Sequence, residues 1–214
     1  MSPFFENLII EFVAEVIIAI LLAFGGYIFY ILKIKPYKLS RILGIVETFK
    51  NQDKAKKDML REFRSSSSLR VFTMRGDTFT KTGNGNNIAD AVLSNTNLHQ
   101  NYIISNADNP FVEDRGKELI EIKKFVSIEA FRNDLKSSLN ILETAKKQNT
   151  NIDFCSHMEI VRERIILIDD FLYLSFIDNK TPTKNTPVLK ICKQSSIYSS
   201  YSAFFEDNWK KYKK

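Results

Sequence analysis

The chain has 214 residues, with 31 Lys or Arg against 25 Asp or Glu, two Cys and two His. So few cysteines exclude a disulfide framework, and the scattered His and Cys form no zinc site of recognisable spacing. The net charge of +6 is uneven: residues 33–64 carry ten Lys or Arg against four acids, residues 65–214 twenty-one against eighteen.

In chain order, the first feature is a nearly continuous apolar run from Phe12 to Leu32 whose only charge is Glu15. About 20 helical residues cross a ~30 Å hydrocarbon core, so the run predicts a transmembrane helix within residues 1–36, after a short extracytoplasmic N-terminus. No positive charge precedes it, which argues against a cleaved signal peptide. Lys33, Lys35, Lys38 and Arg41 follow it, while Glu6, Glu11 and Glu15 lie before or within it. The positive-inside rule then places the C-terminal side in the cytoplasm of a single-pass inner-membrane protein, with Cys155 and Cys192 as free thiols.

Glu11 and Glu15 stand one helical turn apart, and Ala19, Ala23 and Gly26 continue their stripe. A carboxylate facing lipid is costly and small residues allow close helix approach, so the stripe predicts a homo-oligomer with these five residues at a pore or helix interface. The alternative puts Glu11 and Glu15 at the outer headgroup boundary. The basic segment that follows suits anionic headgroups of a lipid bilayer, at about 1 kcal/mol per basic residue.

Leu39, Ile42, Leu43, Val46 and Phe49 recur at helical spacing, and Met59, Leu60 and Phe63 resume it after Asn51-Gln52-Asp53. This predicts a basic amphipathic connector helix in residues 37–64, broken at the polar gap. The run Ser65 to Ser68 is the expected boundary of one globular domain over residues 65–214.

Within it, strands are expected at Leu69–Met74, Asn101–Ser105, Ile152–Ser156, Glu159–Ile168 and Phe171–Phe176. Helices are expected at Ile88–Ser94, through Phe111–Gln148, and at Ser199–Lys213. Alternating strands and helices argue for an α/β or α+β sandwich covered on at least one sheet face. The Gly-containing loop from Lys81 to Asn87 lacks the Gly-Lys-Ser/Thr ending of a phosphate-cradling loop and reads as a surface loop.

The stretch Arg162-Glu163-Arg164-Ile165-Ile166-Leu167-Ile168-Asp169, with Ser175 beyond it, resembles in spacing the HxKxxxxD signature of the phospholipase D-like superfamily. Arg162 stands at the family's nucleophilic His and Arg164 at its Lys, while Asp169 is retained and Ser175 stands at the later Ser. A guanidinium stays protonated and offers no lone pair to attack phosphorus, so the resemblance implies a degenerate, non-hydrolytic member. Two Arg at alternate strand positions point to one side of a sheet and can bind an anionic phosphate bidentately. The alternative is a solvated edge strand ending at Asp169.

Further stretches resemble non-catalytic members of that superfamily: Arg75-Gly76-Asp77-Thr78, Asn106 to Pro110 with Arg115, and Phe204 to Trp209. The resemblance implies an α/β phospholipase D-like sandwich, behind transmembrane and connector helices, whose ligand contacts are Arg75, Asp77, Thr78, Asn106, Arg115, Arg162, Arg164 and Ser175. The whole layout resembles bacterial antiphage membrane effectors. It implies a nucleotide or oligonucleotide ligand that gates an oligomeric pore, a possible nucleotidyltransferase partner, and no cofactor or metal. The alternatives are a membrane-anchored phosphodiesterase or nuclease using another nucleophile such as His157, or a passive membrane scaffold.

Overall fold

The computed structural model describes residues 26–28, 30, 40–81, 87–177 and 185–213. The chain divides into two compact units, Met1–Leu43 and Gly44–Lys214. In the first, residues 26–28 are helical and exposed.

The second unit is built on one seven-stranded mixed sheet. Its strands are β1 (Ile45–Phe49), β2 (Ser68–Thr73), β3 (His99–Ser105), β4 (Ile152–His157), β5 (Glu163–Ile168), β6 (Phe171–Phe176) and β7 (Val188–Cys192). The spatial order is β1-β7-β6-β5-β2-β3-β4. β2, β3 and β4 run parallel, and every other neighbouring pair is antiparallel. Parallel neighbours need long crossovers. These are supplied by α2 (Asp77–Thr80) and α3 (Asn87–Leu93) between β2 and β3, and by α4 (Phe111–Glu121) and α5 (Ile128–Gln148) between β3 and β4. α1 (Gln52–Glu62) precedes β2, and α6 (Ser196–Tyr212) ends the chain.

Strand side chains alternate between two cores. Leu69, Val71, Ile166 and Ile168 pack with Met59 of α1, Phe79 of α2 and Ile88 of α3. Phe72, Ile165 and Leu167 pack with Leu119 of α4, Phe131 of α5 and Phe205 of α6. The sheet is therefore an α/β layer covered on both faces.

The expected fold class needs one correction. Among the described residues no helix is long and apolar enough to cross a membrane, so an N-terminal transmembrane helix and the single-pass inner-membrane location drawn from it are not supported. Of the run Phe12–Leu32, only residues 26–28 and 30 fall among the described residues; Glu11, Glu15, Ala19 and Ala23 lie outside them.

The expected connector helix also differs. Ile45–Phe49 is an edge strand paired antiparallel to β7, because its β-branched and aromatic residues suit a pleated surface although they also fit helical spacing. Gly44 breaks any helix ahead of it: its φ is +70°, and a Cβ there would lie 2.3 Å from Ser195 Cβ. The polar gap at residue 51 is a helix start, since Asn51 Oδ1 accepts a hydrogen bond from Lys54 N at 3.1 Å. Likewise Ser127 Oγ accepts from Ala130 N at 3.0 Å and opens α5, dividing the expected helical stretch 111–148 in two. The compact unit therefore begins at Gly44, not Ser65.

Candidate functional site

A cavity of about 90 Å³ lies where the C-terminal end of β2 meets the start of β5. Thr73 ends β2, and Met74 and Arg75 follow it into the wall. α2 contributes Asp77 and Thr78, α1 Gln52 and Lys56, and α4 Arg115 and Leu119. Lys124, Arg164 and Ile177 complete it. Five of the lining residues are cationic and one is acidic.

Arg164 is buried, 6% exposed, as is Arg115 at 5%. It is the second residue of β5, and strand alternation turns it toward α1 and α2, where its guanidinium lies 5.7 Å from the Phe79 ring centroid. Its Nη1 donates to Gln52 Oε1 at 3.1 Å, and its buried Nε has no partner among the described residues. A guanidinium has five N–H donors, so most of this one's capacity is unspent. Burial pushes its pKa below the ordinary arginine value, with Asp77 opposing and Arg75 adding to the effect. Gln52 is oriented in turn: its Nε2 donates to Ser175 Oγ at 3.1 Å and Thr186 Oγ1 at 3.4 Å.

The other arginines are held by carboxylates. Arg75 Nε donates to Asp134 Oδ2 at 3.0 Å, its Nη2 lies 3.0 Å from Asp77 Oδ2, and the guanidinium sits 5.0 Å from the Phe125 ring centroid. Lys81 also pairs with Asp134. Arg115 and Arg162 share Glu118, with Arg162 Nη1 3.0 Å from Glu118 Oε1. Burial works to raise Glu118, but its two arginine partners outweigh this and hold it below the ordinary carboxylate value. Lys124 is exposed at the cavity mouth. Lost hydration there, then Arg75 and Arg115, push its ammonium down to about 8 against the pull of Asp77 and Asp134. The arrangement can receive a small oxyanion.

No family model matches the sequence, and no curated protein does. Among solved structures the chain is similar to TrmBL2, described as an archaeal chromatin protein that shows a novel mode of DNA binding, at 12% identity and a TM-score of 0.45. That match covers 97% of this chain and 70% of the other. It is also similar to phosphatidylserine synthase of Haemophilus influenzae, at 13% identity and a TM-score of 0.46, over 70% of this chain. The chain covers 34% of the synthase. Both likenesses are distant, with TM-scores below 0.5.

Of the residues proposed from sequence, Arg75, Asp77, Thr78, Arg115 and Arg164 line the one cavity. Ser175 touches it only through Gln52. Arg162 does not share the face of Arg164, because β5 begins at Glu163 and the alternation rule stops there; its guanidinium meets Glu118 instead. Asn106 lies after β3, where its Oδ1 accepts from Asp108 N at 2.9 Å, and it does not line the cavity. Asp169 sits at the far end of β5 and caps Ser67 N at 2.9 Å and Ser68 N at 2.8 Å. Gly26 is exposed.

His157 stays outside the cavity. It is fully buried, stacks on Phe72 with centroids 4.9 Å apart, and accepts from Glu159 N at 3.2 Å through Nδ1. Burial pushes its pKa down to about 4. Both cysteines are free, and among the described residues no cluster of His, Cys, Asp and Glu could hold a metal. Gln52, Lys56 and Lys124 were not singled out from sequence. A helix N-cap at Asn51 is the signal that places Gln52 and Lys56 on one turn, and nothing in the local sequence marks Lys124.

Proposed function

We propose that this domain is a binding module for a phosphate-bearing ligand, without hydrolysis at the cavity. Arg164 carries the reading: a buried guanidinium with no paired carboxylate among the described residues is expensive to keep, and an oxyanion in the adjoining cavity would satisfy it. Lys56, Arg75, Arg115 and Lys124 surround the same space. The family's nucleophilic His position is held by Arg162, which pairs with Glu118 outside the cavity, and this supports binding over displacement by the family's route. A nucleotide or oligonucleotide is a ligand of this chemistry; among the described residues no aromatic side chain lines the cavity to stack a base, so recognition rests on the phosphate. Release of such a signal by a nucleotidyltransferase partner, and self-association of the chain, extend this reading.

The test is Arg164→Met. It removes an unpaired buried charge, and replacing buried ions with well-packed apolar residues is neutral or stabilising, in some cases by about 1–4 kcal/mol. The variant should unfold no earlier than wild type yet lose inorganic phosphate binding by calorimetry. Retained affinity in a folded Arg164→Met chain would overturn the proposal.

A further inference from the structure

Among the described residues Asp77 is the one carboxylate in the cavity wall. It pairs with Arg75, and its side chain remains 35% exposed. Burial works to raise its pKa, but Arg75, Arg164, Lys124 and Lys81 together outweigh that and hold it below the ordinary carboxylate value. It is therefore ionised at neutral pH. An ionised carboxylate can accept hydrogen bonds and cannot donate them.

An oxyanion drawn in by Arg164 and its neighbours meets this carboxylate on one side. If the ligand carries no proton, oxygen lone pairs face oxygen lone pairs and two like charges approach within a few ångströms. If it carries a P–OH, the same contact becomes a short charge-assisted hydrogen bond. The cavity, at about 90 Å³, has room for one tetrahedral group; a water's share of liquid volume is ~30 Å³.

We propose that Asp77 makes this site selective for a phosphate bearing an ionisable P–OH, that is inorganic phosphate or a terminal phosphate monoester, over phosphodiesters and sulfate. The inference rests on the anion-binding reading above and names its substrate class. Inorganic phosphate keeps a P–OH throughout the neutral range. A monoester loses its last proton near pH ~6, so its affinity should rise on acidification toward that value. A diester has no P–OH at any pH, and sulfate has no proton in the neutral range.

Calorimetry on the full-length chain with inorganic phosphate, methyl phosphate, dimethyl phosphate and sulfate tests this, at about pH 6 and about pH 7.5 to bracket the monoester titration. Wild type should prefer inorganic phosphate to sulfate and dimethyl phosphate by about tenfold or more, the worth of one charged hydrogen bond. Methyl phosphate should gain affinity at the lower pH. Asp77→Asn, whose amide can donate to any oxyanion, should bring sulfate to within about threefold of phosphate by strengthening sulfate. Wild-type affinities equal for phosphate and sulfate, or a folded Asp77→Asn chain with an unchanged ratio, overturn the inference and leave the anion site standing. Should wild type bind none of the four, the anion site itself falls. If Asp77→Asn does not fold, the wild-type series decides alone.

Discussion

Arg164 Nη1 donates to Gln52 Oε1 across 3.1 Å, joining residues 112 positions apart in sequence. A neutral amide thus occupies the place beside a buried guanidinium where a carboxylate would ordinarily stand. The cation is oriented without being neutralised, and its positive field remains available to a ligand in the cavity.

Gln52→Glu should therefore separate stability from binding. A carboxylate at that position pairs with Arg164, and Ser175 and Thr186 can donate to it in place of accepting from the amide. The melting temperature should rise, while phosphate affinity falls about tenfold or more, as expected for an interaction of ~1.5–3 kcal/mol to a charged group. Thermal unfolding and calorimetry on the same preparation check both directions. A variant that binds phosphate as wild type does would show that the Arg164 charge is not what the ligand uses.

On the proposed reading, Lys124 should set the pH dependence of binding. Its ammonium is held down to about 8 in the fold, below the ordinary lysine value. As pH rises from about 8, the folded chain gives up this proton before the unfolded chain does, so the group's contribution to stability increases with pH through the interval up to about 10.4. Ligand binding moves the opposite way, because the cation is lost. Phosphate affinity should decline across that interval in wild type and decline less in Lys124→Met; a decline of equal size in both would remove Lys124 from the site.

The cations of the cavity were more legible in the sequence than its geometry. Arg164 and Arg75 stood out through the resemblance of their stretches to a superfamily signature, Arg164 at its Lys position. Gln52 was not legible, because the helical spacing of Ile42, Val46 and Phe49 hid a strand and with it the helix start at Asn51. β7 was hidden for a different reason. Lys190 sits within it at 5% exposure and interrupts the apolar alternation that marks a strand, and only the fold brings Asp58 and Glu62 to neutralise it.

That ion pair fixes α1 on the sheet. Lys190 Nζ lies 2.7 Å from Asp58 Oδ2 and 2.7 Å from Glu62 Oε1, and Tyr173 O–H donates to the same Asp58 oxygen at 2.6 Å. Lys190→Met takes one buried partner from Asp58, which keeps its ion pair with Arg61 and the Tyr173 hydrogen bond, and should cost about 1–3 kcal/mol. In urea the midpoint should fall with the slope unchanged. Adding Asp58→Asn should recover part of the loss, since it removes the buried carboxylate that has lost its ammonium partner. If Lys190→Met instead unfolds at the wild-type midpoint, this network does not hold α1.

His157 supplies the last prediction, and it bears on the enzyme alternative. The imidazole is fully buried against Phe72 and its pKa is pushed down to about 4, so the fold holds it neutral. The unfolded chain binds its proton near pH ~6.5, so the fold loses stability as pH falls from about 6.5 to about 4, by on the order of 3 kcal/mol at 1.36 kcal/mol per unit. His157→Phe keeps the ring stack and removes the titration, so its stability should be flatter over that window in denaturant titrations. Phosphate affinity should be unchanged, because the ring does not line the cavity. Phosphodiester cleavage by wild type that disappears in a folded His157→Phe chain would instead make this histidine a nucleophile.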